Sequence, residues 1–218
     1  MEQSQAASTS GLSTRRIEAF SDGVFAIAIT LLVLSIAAPE LAHPTQQELW
    51  RSIFDLWPKI ASYIISFGIV GIFWYGHHVM FHYIERSDRT LVWLNTFFLM
   101  LIAFFPFPAQ LMGLYTKNPA AILFYGGTLS LLGLSLLSIW SYASYHGRLV
   151  VPHLEKKFVV MAKLYMFGGS VLYWVAMGLV FVHPYISLGI YVVTPILYLL
   201  PSTIDRYTGP VRIQGTEE

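Results

Sequence analysis

Cysteine is absent from this sequence and charged residues are scarce. Without cysteine the chain cannot form disulfide bonds, thiol nucleophiles or thiolate metal sites. Only 11% of its 218 residues are charged, against about 25% in an average soluble domain. The formal net charge is +1, and no basic cluster is present that could bind phosphates. No nucleic-acid partner is therefore expected.

Long polar segments are also lacking. The longest are the first 18 residues, the segment 39–56 and a tail of about 15 residues. Hydrophobic residues make up 56% of the chain and the mean hydropathy is +0.60. These values predict an integral membrane protein whose surroundings are a lipid bilayer. We expect a disordered N-terminal tail over 1–14, a transmembrane domain over 15–203 and a cytoplasmic tail over 204–218.

Six apolar segments have the length of membrane spans, since a spanning helix needs about 20 residues. The fold class predicted is an all-α membrane protein with spans at 19–38, 57–79, 91–114, 119–143, 161–182 and 185–203. Taken alone, Gly23–Ala38 would rise only about 24 Å, less than the ~30 Å hydrocarbon core. The first helix is therefore predicted to begin near Arg16, which places Asp22 at or just inside the membrane boundary.

The distribution of lysine and arginine predicts the orientation in the cell membrane. Ten of the 13 basic residues fall in the N-terminus, the 2–3 loop, the 4–5 loop and the C-terminal tail. The three on the opposite side are Arg51, Lys59 and Lys117. Both termini are therefore expected in the cytoplasm.

Asp22 stands out because an ionisable group at membrane depth is costly and normally has a partner. Two interpretations stay open. Ser21 and Asp22 could cap a helix N-terminus, or Asp22 could join a polar network, with Arg16 as the nearest cation in sequence. Glu18 and Asp22 also argue against an export signal, whose core is apolar.

Beyond Asp22, a stripe of large aliphatic residues follows one face of the first helix. Ile27, Leu31 and Leu34 recur at i, i+4 and i+7, with Thr30 beside them. The stripe extends from Gly23 to Ala38, and Asp22 points roughly 140° away from Ile27. Geometry alone leaves lipid contact and helix packing open as its purpose.

A second polar cluster, WYGHHVMFH, ends the second span. His78 and His82 have the i, i+4 spacing of metal ligands, but no Glu-x-x-His pattern or second histidine cluster lies on another span. A hydrogen-bonded network that joins this cluster of His77, His78 and His82 to Asp22, Trp74 or Asn95 is therefore favoured over a metal site.

The motif Arg16-x-x-x-Phe20-Ser21-Asp22-Gly23, followed by VFAIAIT, resembles the signature of the transmembrane protein 175 family. That family comprises the endosomal and lysosomal potassium channels and their bacterial relatives. Further landmarks that look like the family's lie in the second and third spans: Trp74-x-x-His77-His78, Asp88, Leu94-Asn95 and Pro106-Phe107. Spans four to six match in hydropathy more than in motif.

This resemblance implies a six-helix subunit, four copies of which surround one pore lined by the first helix. Ile27 would form the narrowest point, Leu31 and Leu34 the next hydrophobic rings, and Thr30 a polar ring that tunes ion preference. The remaining motif residues would hold the helix in place: Arg16, Phe20, Ser21, Asp22, Gly23, Trp74, His77, His78 and Asn95.

A potassium-permeable channel is the function expected, with no enzymatic activity and no cofactor besides the permeant ion. The sequence has no T-V-G-Y-G filter segment, so selection would depend on a hydrophobic constriction that gates by dewetting. Moderate preference for K⁺ over Na⁺ is expected, with proton leak. The alternatives are a metal-dependent membrane enzyme on the histidines, a secondary transporter with Pro195 as its only evident helix break, and a non-conducting scaffold.

Overall fold

The computed structural model describes residues 13–152 and 154–199. The predicted C-terminal tail, 204–218, lies outside the described residues. So does most of the predicted N-terminal tail, but Thr14 already belongs to the first helix. The N-terminal boundary at residue 14 was therefore placed slightly too late.

The described chain is all-helical apart from loops and two short 3₁₀ turns, which confirms the predicted fold class. In chain order its α-helices are α1 (Thr14–Leu31), α2 (Gln46–Asp55), α3 (Trp57–His82), α4 (Arg89–Phe104), α5 (Pro106–Leu114), α6 (Pro119–Ser144), α7 (Lys156–Leu179) and α8 (Pro184–Leu199).

The first helix begins at Thr14, in agreement with the prediction of a start near Arg16. A 3₁₀ turn, Leu32–Ser35, follows α1 directly, and together the two segments rise about 35 Å. That length is enough to cross a membrane. The predicted end at residue 38 is wrong, because Ile36 leaves the helical region with φ −100° and ψ 82°. Pro39 follows shortly, and the residue before a proline disfavours helix.

Among the described residues, five segments are long and apolar enough to span a membrane, with α4 and α5 forming one of them. The break between α4 and α5 coincides with Pro106 and Pro108, which lack the N–H that would continue the hydrogen-bond ladder. The sixth predicted span corresponds to α8, which is shorter than the others. Its predicted end at residue 203 lies outside the described residues.

Burial is uneven across the spans. The fourth span, which contains α6, is the most buried at 61%, and the first is the least buried at 22%. α6 packs against α4, α5, α7 and α8, whereas α1 packs against α3 and α4. The core of the subunit therefore lies around α6, and α1 lies at one side of the bundle.

A clasp joins the α3–α4 loop to the α6–α7 loop. Ile84 and Val150 form an antiparallel bridge. The Asp88 carboxylate caps α4 through the Leu91 N–H at 2.9 Å and also accepts the Tyr142 hydroxyl at 2.6 Å. Arg148 pairs with it at 3.3 Å. Partial burial raises the pKa of Asp88, but these hydrogen bonds and the Arg148 charge outweigh that effect and hold the pKa below its ordinary value.

Candidate functional site

α1 has one face packed against its own subunit. Its buried residues, together with Leu32 of the 3₁₀ turn, recur at spacings of three and four: Ile17, Ser21, Phe25, Ala28 and Leu32. This is the spacing of a helix stripe that faces a core. Phe25 is 1% exposed, and its ring lies 5.8 Å from His77 and 5.9 Å from Phe98. The rotation of α1 against α3 and α4 is therefore set by packing.

The opposite face of α1 carries the predicted aliphatic stripe. Ile27 is 62% exposed, Leu31 41% and Leu34 70%. Leu34 lies in the 3₁₀ turn, where residues three apart are eclipsed, so it stays in line with Leu31. The predicted continuation of the stripe to Ala38 is wrong, because the helical segment ends at Ser35.

Thr30 lies on the exposed side of α1, as the sequence predicted. Its hydroxyl donates to the Ile27 carbonyl oxygen at 2.8 Å. The proton is thereby directed at the backbone, while the oxygen lone pairs remain available.

Three buried side chains join α1, α3 and α4. Asn95 of α4 donates from Nδ2 to the Ser21 oxygen of α1 at 3.0 Å. Its Oδ1 lies 2.8 Å from Nε2 of His77 on α3. Ser21 is 0% exposed, and His77 and Asn95 are each 2% exposed. The predicted His77–Asn95 network is therefore present, and it includes Ser21.

The proton arrangement of this network follows from its geometry. Ser21 donates its hydroxyl proton to the Ile17 carbonyl at 2.8 Å, so its oxygen must accept from the Asn95 amide. Asn95 Oδ1 consequently faces His77 and accepts from an Nε2–H. The imidazole is stacked against Phe81 at 4.4 Å and Phe98 at 5.7 Å. His77 is therefore held by aromatic rings and by one hydrogen bond.

Asp22 forms a separate link between α1 and α3. Its Oδ1 accepts the indole Nε1–H of Trp74 at 2.8 Å. The Trp74 ring in turn stacks on His78, with centroids 5.8 Å apart and planes at 18°. Asp22 and Trp74 are therefore bonded to each other, and the histidine cluster reaches this pair only through the ring contact of His78.

The interpretation of Ser21 and Asp22 as simple N-terminal caps is wrong. α1 begins at Thr14, with Ser13 as its N-cap residue, so both lie two turns inside the helix. Arg16 is exposed and, within the described residues, forms no ion pair with Asp22. Its predicted role in holding the helix has no described contact to support it.

The other two motif residues lie on exposed positions. Phe20 is 62% exposed, and a Cβ added at Gly23 would meet no atom within 4 Å. Neither belongs to the hydrogen-bonded network inside this subunit. The exposed part of Phe20 and the open space beside Gly23 are accessible from outside the subunit.

The histidines do not assemble a metal site in the described part of the chain. No group of three or more His, Cys, Asp or Glu side chains lies close enough there to hold an ion. His77 is committed to Asn95, and His82 makes an edge contact with Tyr83. The His78–His82 spacing is therefore not completed by a third ligand among these residues.

The two described cavities do not include any residue of α1. One, of about 480 Å³, lies between α3, α6, α7 and α8. The other, of about 660 Å³, lies near the α5–α6 loop, between α3, α5, α6 and α8. No described cavity inside one subunit therefore connects to the Ile27 stripe.

Known proteins share both sequence and fold with this chain. The sequence signature of the family described as endosomal/lysosomal potassium channel TMEM175 matches residues 16–106. A potassium channel of Chamaesiphon minutus is 36% identical over 193 residues, which cover 87% of this chain and 95% of that protein. The chain belongs to the TMEM175 family. Its matched segment contains every residue of the polar network and of the exposed stripe.

The fold agrees with the same assignment. The crystal structure of a TMEM175 homolog from Chamaesiphon minutus, a lysosomal potassium-selective channel by its description, superposes with a TM-score of 0.77 at 33% identity. The superposition covers 86% of this chain and 96% of the homolog. The endosomal/lysosomal proton channel TMEM175 of Bos taurus is 36% identical over 114 residues, half of this chain and 24% of the bovine protein.

Sequence reasoning missed part of the site. Phe25, Phe81 and Phe98 surround His77, and the i, i+4 spacing of His77 and Phe81 was the available signal. The sequence marks Asp88 only as a landmark, because its partners lie more than 50 residues away, Tyr142 near the end of α6 and Arg148 in the loop that follows. No local pattern indicates such a contact.

Proposed function

We propose that this protein is a potassium-permeable cation channel of the cell membrane in which four copies surround one pore. The observation that carries the proposal is the division of α1 into two faces. One face is locked to α3 and α4 by buried side chains, and the other exposes Ile27, Leu31 and Leu34. Since no described cavity inside the subunit reaches this stripe, a path between subunits fits it best.

In the proposed assembly Ile27 forms the narrowest ring. Branched aliphatic side chains around a narrow pore exclude bulk water, and conduction requires the ion to shed part of its hydration shell. K⁺ holds its shell more weakly than Na⁺ does and should pass more readily. Thr30 supplies a ring of hydroxyl oxygens next to Ile27, which should favour a partly dehydrated cation.

Moderate preference for K⁺ over Na⁺ is the expected consequence, because no ring of backbone carbonyls replaces the whole shell. Proton leak forms part of the proposal as well. The bovine relative is named a proton channel, and a wetted constriction passes protons along water. Leu31 and Leu34 would form further hydrophobic rings that limit such wetting.

The orientation we propose places both termini in the cytoplasm. Basic residues are concentrated on that side, as the positive-inside rule requires. The Asp88–Arg148 clasp would then lie at the cytoplasmic surface, on the same side as the start of α1. The pore would run from that side along α1 towards Ser35.

The competing functions find no specific support in the described structure. A metal-dependent enzyme would need ligands beyond His78 and His82. Secondary transporters usually bind their substrate at helices broken in mid-membrane. The break that the sequence predicts at Pro195 is not present, because α8 runs through it without interruption. The span formed by α4 and α5 is broken at Pro106, but neither described cavity is lined by residues from both sides of that break.

Flux measurements on reconstituted full-length protein test the proposal. Liposomes loaded with K⁺ and diluted into Na⁺ medium should lose K⁺ at a rate that depends on protein, and a reversed gradient should give slower Na⁺ flux. A preparation that is folded and tetrameric but passes neither ion would contradict the channel proposal. Equal rates for the two ions would contradict the proposed constriction while leaving a channel intact.

A further inference from the structure

α2 is a short amphipathic helix that the sequence patterns had left as a polar connection. At 100° per residue, its apolar side chains and the two that follow fill an arc of roughly 160°. They are Leu49, Trp50, Ile53, Phe54, Leu56 and Trp57. The polar and charged residues Glu48, Arg51, Ser52 and Asp55 occupy the other side. This is the pattern of a helix with one face in an apolar environment.

The apolar face of α2 is not covered by its own subunit. No residue of α2 is buried. Phe54 is 73% exposed and Trp50 55%, although their rings lie only 6.3 Å apart and form one patch. An uncovered aromatic patch of this kind needs another apolar surface.

The N-terminus of α2 is well defined by a capping box. The Glu48 N–H donates to the Thr45 hydroxyl oxygen at 3.3 Å, and the Thr45 N–H donates to Glu48 at 2.9 Å. The Thr45 N–H and the Thr45 hydroxyl, which donates to the same carboxylate at 2.8 Å, lower the pKa of Glu48, so the side chain is ionised at neutral pH. The capping box fixes where α2 begins. A ten-residue helix is only marginally stable in water, so its exposed apolar face calls for an apolar surface.

Chain connectivity fixes the depth of α2. It follows the first span and is joined to α3 through Leu56 alone. Its apolar face continues directly into Trp57, the first residue of α3, which is 65% exposed. Since α3 begins a membrane span at that point, the C-terminal end of α2 lies near the water–lipid boundary. Tryptophan is the residue that most favours this boundary.

We infer that α2 lies in the membrane interface and binds the lipid surface, with Trp50, Phe54 and Trp57 inserted between the headgroups and upper acyl chains. The polar face carries two acids, Glu48 and Asp55, and one base, Arg51. Attraction to anionic headgroups therefore contributes nothing favourable, and zwitterionic lipid suffices. The inserted helix anchors the loop that follows the pore-lining segment in the proposed channel.

The absence of cysteine from the chain gives a direct test. Single-cysteine variants Phe54→Cys and Asp55→Cys place a label on adjacent residues of opposite faces, and Trp50→Cys and Arg51→Cys repeat the comparison. Each full-length variant is labelled with an environment-sensitive fluorophore and reconstituted in phosphatidylcholine vesicles. Quenching is then measured with lipids spin-labelled near the headgroup and with aqueous iodide.

The spin-labelled lipid should quench labels at positions 54 and 50 more strongly than labels at positions 55 and 51. Iodide should quench labels at positions 55 and 51 more strongly than labels at positions 54 and 50. Adding phosphatidylglycerol should leave this order unchanged. Iodide quenching as strong at Phe54 as at Asp55 would show a solvent-exposed helix and overturn the inference. Protection of Phe54 from both quenchers would show a neighbouring subunit on the patch and would overturn it equally. Neither readout depends on conduction, so failure here is distinguishable from failure of the proposed channel.

Discussion

Trp74 donates its indole N–H to Asp22 across 2.8 Å and so ties α3 to α1. The preceding residue, Ser21, bonds to Asn95 of α4. Two adjacent residues of α1 therefore hold two different helices, and α1 cannot rotate about its axis without breaking one of these bonds. Because these two bonds fix the rotation of α1, they also keep the Ile27 side chain on the exposed side of the helix.

The first prediction concerns Asp22. Asp22→Ala removes the acceptor for the Trp74 indole N–H and should lower the free energy of unfolding by about 1 kcal/mol. It should also lower either the yield of tetramer or the open probability of the channel. Asp22→Asn keeps an oxygen acceptor and should lose less. Thermal unfolding, size-exclusion chromatography and flux would be compared for both. If Asp22→Ala assembles and opens normally but loses the preference for K⁺ over Na⁺, the structural role of Asp22 is contradicted.

The second prediction concerns Asn95. Asn95→Leu leaves the Ser21 oxygen and the His77 N–H without a buried partner, which should cost about 1–3 kcal/mol. The neighbouring Thr96 is exposed, and its hydroxyl only bonds back to the Val92 carbonyl. Thr96→Val is therefore the matched control and should change the melting temperature little. Similar melting temperatures for the two variants would show that the buried network contributes nothing.

The third prediction concerns Ile27. Ile27→Ala or Ile27→Asn should widen or wet the proposed constriction and reduce the preference for K⁺ over Na⁺. Ile29 is half-buried against the core on the same helix, so Ile29→Ala should reduce stability but keep the preference. Reversal potentials under mixed K⁺ and Na⁺ gradients give the comparison. Wild-type values for both Ile27 variants would exclude Ile27 as the constriction.

The fourth prediction concerns the clasp between the α3–α4 loop and the α6–α7 loop. Because the folded pKa of Asp88 lies below the ordinary value of about 3.9, its charge adds stability that is fully present above that value. The contribution is lost as the pH falls through the folded pKa. Asp88→Asn keeps a good N-cap residue. Its melting temperature should lie below that of the wild type, and this difference, the margin, should be constant from pH 8 to about 5.

Below about pH 4 this margin should shrink, since the wild-type carboxylate takes up a proton. The matched control is Glu85→Gln in the same loop, where the side chain is exposed. Its melting temperature should follow that of the wild type at every pH. A margin for Asp88→Asn that disappears already between pH 8 and 6 would contradict the assigned pKa direction.

Much of α1 could be predicted from sequence because its signals are local. The i, i+4, i+7 spacing of Ile27, Leu31 and Leu34 gave the exposed stripe, and the span length required a start near Arg16. Its end could not be located in the same way, since the change to a 3₁₀ turn at Leu32 has no strong sequence signal. The capping interpretation of Ser21 failed because the helix starts seven residues earlier.

Contacts that depend on tertiary structure were only partly accessible. Trp74 and Asn95 were proposed as partners through their motif, but the assignment of Asp22 to Trp74 and of Ser21 to Asn95 required the packed helices. α2 was missed because a ten-residue amphipathic helix resembles a polar loop when only long apolar runs are sought. The Thr45–Glu48 capping box was the signal that could have revealed it.

The position of the α1 stripe in the assembly is the central claim, and cysteine cross-linking in native-like membranes tests it most directly. Ile27→Cys brings identical thiols together if the stripe faces a common axis, since a disulfide needs Cβ atoms about 3.5–4.5 Å apart. Mild oxidation should then yield disulfide-linked dimers of Ile27→Cys and leave Ile29→Cys monomeric. Efficient cross-linking at Ile29 with none at Ile27 would show that the stripe faces lipid and not a shared pore.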